Sequence, residues 1–351
     1  MMYQNSSTFS FKGGRYLVCL AVALIATLGA AFGFSYYGAA HGLVDHPYQV
    51  NYRFQLDKIE RSRPIETLFV GDSSLGAMLD TEVWAQLSNR SALHLALTGS
   101  DGYAGSLNMA RRSLDRLRPR NLVIVHTLDM MTRDVAYVGF LQTNPEPRDE
   151  VGIPLYSRVI ERFQLYTSRE LVVGTVRGLM GKALGTPPTQ MGKEYILLPA
   201  ISGAPTETGL SKPPILSERE INPRKITFLR QLGTLCRART LNCIYAHGPL
   251  YDEVCRASQA YLHAVQRHIL STGIDLVEGT PVCVPRSELG DAIDHVKQDL
   301  KAHYTKRYYE LIAPYLDADM SQGPPSAGVE GRTARAVGNA IASPARVRGD
   351  R

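Results

Sequence analysis

Between residues 65 and 128, three short apolar runs alternate with helix-patterned segments, and polar or glycine-bearing turns punctuate the runs. Residues 65–70 (IETLFV) lead into Gly71-Asp72-Ser73-Ser74, and residues 92–97 (ALHLAL) lead into Thr98-Gly99-Ser100. The third run, residues 121–128 (NLVIVHTL), carries His126 and Thr127 near its end. Continuous apolar runs of this length, bounded by turn residues, read as strands buried on both faces. Their alternation with helices predicts βαβ units and a parallel sheet covered on both sides. Residues 81–87 read as a short helix. Residues 105–117 form a stronger one, with Leu107, Ala110, Leu114 and Leu117 on one face and Pro119 as its stop.

The alternation resumes later with a helix over 223–239, a strand over 242–246, a helix over 253–271, a strand over 274–277 and a last helix over 296–315. Residues 131–221 interrupt it. They hold helical stretches at 156–164 and 169–184, then a segment rich in Pro, Gly, Thr and Ser. They read as an insertion into one α/β domain over 41–317, placed to cover a site and shape a cleft. From Ala318 to Arg351 the chain has few large apolar residues, too few to offset ordering entropy, and disorder is expected.

Residues 16–36 (YLVCLAVALIATLGAAFGFSY) contain no charge. As a helix they measure about 31 Å, enough to cross a hydrocarbon layer of about 30 Å. Lys12 and Arg15 precede this segment and Asp45 is the first charge after it. The positive-inside tendency then leaves residues 1–15 in the cytoplasm and exports the rest. A cleaved signal peptide is the alternative, but the apolar run exceeds the usual 7–15-residue core of such peptides, which favours an anchor. The formal net charge is +6, and the two ends supply most of it: residues 1–40 contribute +2 and residues 318–351 another +2. The body is near neutral, so the basic balance is poor evidence for nucleic-acid binding, which requires a clustered basic face, and no nucleic-acid partner is expected.

One of the five cysteines, Cys19, lies in the apolar segment. The other four suit an oxidising compartment, where pairing Cys236 with Cys243 and Cys255 with Cys283 closes short loops. Their spacing matches no zinc pattern, and no metal or cofactor is expected.

The turns carry the chemistry, because ligands in open α/β sheets bind at the carboxyl ends of the strands. Ser73, directly after a buried strand and opening a helix, can hold its Oγ on a rigid edge, as a nucleophile needs, or serve as a simple cap. Gly99 can present its N–H with no side chain in the way. Asp291-Ala292-Ile293-Asp294-His295 precedes the last helix and offers a base with carboxylates one and four positions before it. His247 follows a strand and either lines the same cleft or serves a turn. His94, His263, His268 and His303 receive no role.

Taken in this order, the strand–Gly-Asp-Ser turn, the glycine after the second strand and the Asp/His pair before the last helix resemble the SGNH (GDSL-type) hydrolase superfamily over residues 64–316. The resemblance implies a three-layer, flavodoxin-like parallel sheet. It makes Ser73 rather than Ser74 the nucleophile, His295 the base, and the N–H groups of Ser73 and Gly99 oxyanion donors. The family acid usually lies three residues before the histidine, where this chain has Ala292. Asp291 or Asp294 must serve, and Asp291 is preferred because the chain can fold back from there. The family's Asn after the third strand is replaced by Thr127 or Asp129.

An anchor followed by an exported domain of this kind is similar to the branch of the superfamily that O-acylates envelope polysaccharides. That implies a single-pass protein of a bacterial inner membrane with its catalytic domain in the periplasm. It implies acyl transfer through an acyl-Ser73 intermediate to a polysaccharide hydroxyl, or to water in an esterase. The acyl group would come from a membrane-bound acyltransferase. A catalytically silent SGNH-like member of a polysaccharide synthesis or export complex is the alternative, and an unrelated exported binding protein a third.

Overall fold

The computed structural model describes residues 11–41, 43–44, 47–133, 155–185 and 214–316. The chain enters through α1 (Phe11–Ala40) and α2 (Pro47–Arg61), then follows β1 (Thr67–Gly71), α3 (Ser73–Met78), α4 (Thr81–Ser88), β2 (Ala92–Ala96), α5 (Gly102–Leu117) and β3 (Asn121–His126). Next come α6 (Leu155–Tyr166), α7 (Arg169–Ala183), α8 (Pro223–Ala238), β4 (Asn242–His247), β5 (Leu250–Tyr251), α9 (Asp252–Ala257) and α10 (Gln259–Leu270). β6 (Asp275–Leu276), β7 (Cys283–Val284) and α11 (Lys301–Leu316) complete it.

Five strands form a parallel sheet in the order β2-β1-β3-β4-β6. Leu68, Phe69, Val70 and residues 122–125 and 244–246 are wholly buried. Both faces of these strands are therefore covered, which is why their sequences run apolar without alternation. The β1–β2 connection steps one way and the β2–β3 connection crosses back over β1, so right-handed crossovers put α4 and α5 on opposite faces. On one face α5 packs on α8 and α8 on α10; on the other, α3 and α4 pack on α11. Trp84 of α4 sets its ring edge-on to Phe69 and to Tyr309 of α11. The order reverses between β1 and β3, which opens a crevice at their carboxyl ends. Gly71 stands level with Ala96 and Val125 there, so the turns that follow all three strands share one edge.

Three elements depart from the sequence expectation. α2 carries no signal singled out above, yet it covers the edge strand: Gln55 and Asn51 donate to the Ala96 carbonyl and Lys58 to that of His94. These bonds satisfy groups that an open edge leaves bare. The helix expected over 253–271 breaks at Ser258, whose Oγ accepts the Leu216 N–H at 3.2 Å. The last helix starts at Lys301 because Val296 is drawn into a bridge with Leu289.

Disulfides join Cys236 to Cys243 and Cys255 to Cys283, while Cys19 is free and exposed. The first ties α8 to β4 and the second ties α9 to β7, which pairs with β5. α1 is long and apolar enough to cross a membrane. The described helices of the insertion, α6 and α7, pack on each other and on the second half of α1. Phe32 stacks on Phe163 at 6.1 Å and meets Tyr166 edge-on at 5.2 Å. Their main partner is thus α1 and not the strand ends they were expected to cover. The remainder of the insertion (134–154 and 186–213), residues 1–10 and the tail from Asp317 lie outside the described residues.

Candidate active site

Gly71 ends β1 where nothing larger fits, since a Cβ there would stand 1.9 Å from the Val125 carbonyl oxygen. Asp72 follows in extended conformation and caps α3. Its Oδ1 accepts the Ser74 N–H at 3.0 Å and the Ser74 hydroxyl at 2.6 Å, and its Oδ2 accepts the Thr127 N–H at 3.0 Å. Asp72 thereby turns Ser74 inward and ties the first strand's turn to the third's. Burial alone would raise this carboxyl. The His126 imidazole beside it, the Ser74 hydroxyl and Arg133 outweigh burial and hold it well below the usual carboxylate range. His126 Nδ1 lies 3.3 Å from Oδ2 but makes no well-formed hydrogen bond there, while its Nε2 pairs with Ser106 Oγ at 2.9 Å.

Ser73, the first helical residue, is half-buried, and its Oγ donates to His295 Nε2 at 2.9 Å. His295 sits in a tight loop. The Gly290 N–H bonds the His295 carbonyl at 2.8 Å, and Leu289 bridges Val296. That closure returns Asp291 to the ring, where its Oδ1 accepts from His295 Nδ1–H at 2.6 Å. Serine, histidine and carboxylate are thus joined in series. Burial alone would lower His295, but the Asp291 hydrogen bond and the charges of Asp294, Asp291 and Asp72 raise it above its ordinary value. Asp291 is lowered, chiefly by the same hydrogen bond.

The other expected residues take different places. Asp294 is buried on the Nε2 side of the ring, with Oδ1 at 3.8 Å, and its Oδ2 meets Arg133 Nη2 at 3.4 Å. Asp129 pairs with Arg133 Nε at 3.0 Å, so it faces the guanidinium. Gly99 stands at the end of β2 with Arg133 Nη1 filling the space where a side chain would go, 2.0 Å from an ideal Cβ. Its loop is pinned by Asp101, which accepts both the N–H and the hydroxyl of Thr98 and is raised to about 6 by burial. No hydrogen bond engages the N–H of Ser73 or Gly99 among the described residues. Thr127 has its N–H committed to Asp72, and its buried hydroxyl has no hydrogen-bond partner among the described residues.

His247 does not line the crevice. Its ring is wholly buried, edge-on to Tyr245, and held near 3 by burial and by His126. Sequence reasoning missed Arg133 and the Asp72–His126–Ser106 cluster. Only the four-residue spacing of Asp129 and Arg133 offered a local signal. No family model, curated protein or solved structure matches this chain.

Proposed function

We propose that this chain is a membrane-anchored, exported serine acyl-transfer enzyme of SGNH type, moving O-acyl groups on an envelope polysaccharide. The series Ser73–His295–Asp291 at the crevice carries this reading. The sheet order β2-β1-β3-β4-β6 is that of flavodoxin-like folds and supports the family resemblance. Paired cysteines and the apolar α1 support export with the domain on the periplasmic side of a bacterial inner membrane.

In the first half-reaction Ser73 Oγ attacks the carbonyl carbon of an acyl ester as His295 Nε2 takes its proton. Asp291 steadies the imidazolium, and the N–H groups of Ser73 and Gly99 face the developing oxyanion. Collapse breaks the ester C–O bond, and His295 returns the proton to the leaving alkoxide. In the second half-reaction a sugar hydroxyl gives its proton to His295 and attacks acyl-Ser73, regenerating the serine. Water in place of the sugar gives an esterase. An acyl donor presented by a membrane-bound acyltransferase fits the anchored domain.

One observation favours a second reading, a catalytically silent SGNH-like subunit of a polysaccharide synthesis or export complex. The third strand's turn lacks an Asn donor, and the Thr127 N–H is already engaged. The decisive experiment incubates the full-length chain in detergent with p-nitrophenyl acetate and weighs it intact. An acetyl adduct present in wild type and Ser74→Ala but absent in Ser73→Ala is expected. Adding oligosaccharides then separates transfer from hydrolysis. A folded chain without adduct or turnover selects the silent reading.

A further inference from the structure

Among the described residues, the largest exposed apolar surface outside α1 lies on α6 and α7. Tyr156, Val159, Ile160 and Phe163 recur at i, i+3, i+4 and i+7 on α6; the first three are exposed, and Phe163, on the side toward Phe32 of α1, remains 38% exposed. Val176 and Met180 expose a second stripe on α7. A single ordered stripe on each of two neighbouring helices is the pattern of an amphipathic pair with its partner missing.

The depth of α1 identifies that partner. Residues 14–27 of α1 are exposed throughout, and as helix they measure about 21 Å, short of the ~30 Å hydrocarbon layer. A complete span needs the next two turns as well, up to about Tyr36. Those turns are where α6 packs, with Phe32 meeting Phe163 and Tyr166 and Tyr36 meeting Tyr166, while Thr175 of α7 packs on Gly38 just beyond them. α7 sits tightly at the end of the segment, with Gly178 against the Leu43 carbonyl and Gly174 against Val44. Its depth relative to α1 is therefore set by backbone contact. The two helices carry five basic residues against two acidic ones, a balance that suits anionic headgroups.

We infer that α6 and α7 lie in the outer-leaflet interface of the membrane that α1 crosses, with their apolar stripes among the lipid acyl chains. This rests on α1 spanning the membrane, as in the proposed function. It makes the insertion a second membrane contact beside α1.

The test places single tryptophans in the full-length chain, whose one native Trp84 is buried and gives a constant background. Leu24→Trp on α1, Ile160→Trp on α6, Met180→Trp on α7 and Leu270→Trp on exposed α10 are reconstituted into phosphatidylethanolamine–phosphatidylglycerol vesicles with brominated acyl chains. Ile160→Trp and Met180→Trp are expected to lose at least half as much fluorescence as Leu24→Trp, and Leu270→Trp none. Quenching at Leu24→Trp alone overturns the inference while leaving the span intact. A concentration-dependent blue shift at 160 and 180 without quenching overturns it in favour of a second copy. No quenching at Leu24→Trp overturns the membrane span and this inference together.

Discussion

Ser73 and Ser74 differ by one position in sequence and by everything in environment. Ser74 is buried with its hydroxyl spent on Asp72, whereas Ser73 points at a histidine. Asp291 and Asp294 divide in the same way, one on Nδ1 and one on the Nε2 side held by Arg133. A general base works only unprotonated. Because His295 is raised, kcat/KM should rise with pH through an apparent pKa above the ordinary value of about 6.5. Asp291→Asn removes the hydrogen bond that raises it. The limb should move to lower pH while the plateau falls by about 10²–10⁴-fold. A pH–rate profile of the two proteins checks both signs. An unchanged limb would mean that Asp291 does not act on His295. The family resemblance pointed to Ser73 and His295 and left Asp291, preferred, beside Asp294 as the acid, because a turn-sized spacing places either carboxylate near the ring. It left Arg133 unseen, because that side chain meets Asp294 across a sequence separation of 161, which only folding closes.

At the level of elements, β1 to β4 and most helices were legible, since burial on two faces or one stripe writes itself into local apolar pattern. α2 was not. Its task is to satisfy the carbonyls of a sheet edge, and Gln55, Asn51 and Lys58 do this with polar groups that resemble any solvated face. The break at Ser258 and the late start of α11 are likewise imposed by distant partners. The two disulfides make the elements' stability testable. Cys255–Cys283 closes a separation of 28 residues and Cys236–Cys243 one of 7. By loop-closure entropy, the Cys255→Ser/Cys283→Ser pair should cost about 3–4 kcal/mol and the Cys236→Ser/Cys243→Ser pair about 1 kcal/mol less. Urea midpoints of the two double variants measure this. Equal losses, or a larger loss for the short loop, would show that native-state packing and not the unfolded chain sets the effect.

At the scale of the whole molecule, the helices of the insertion pack on the apolar α1 and on each other. Removal of residues 1–44 should therefore uncover the faces of Phe163 and Tyr166 that Phe32 and Tyr36 now cover. The truncated chain should aggregate without detergent, yet in detergent it should still form the acetyl adduct at Ser73. Size exclusion with light scattering, with and without detergent, reads the first expectation, and intact mass the second. A monodisperse truncated chain in plain buffer would show that the insertion does not depend on α1.

The amino-acid sequence by itself determined the parallel α/β class, the apolar segment, a preference for the cysteine pairs that close short loops, and the order Ser73, Gly99, Asp291, His295. These depend on short-range pattern: strand and helix periodicity, an uncharged run, small loops, and turns after buried strands. Tertiary structure alone decided which serine and which aspartate face the imidazole, that Arg133 stands beside Gly99, and that α6 and α7 rest on α1. Those outcomes hang on contacts between residues far apart in the chain. Such contacts form only once the sheet order and the packing of its layers have fixed the distances.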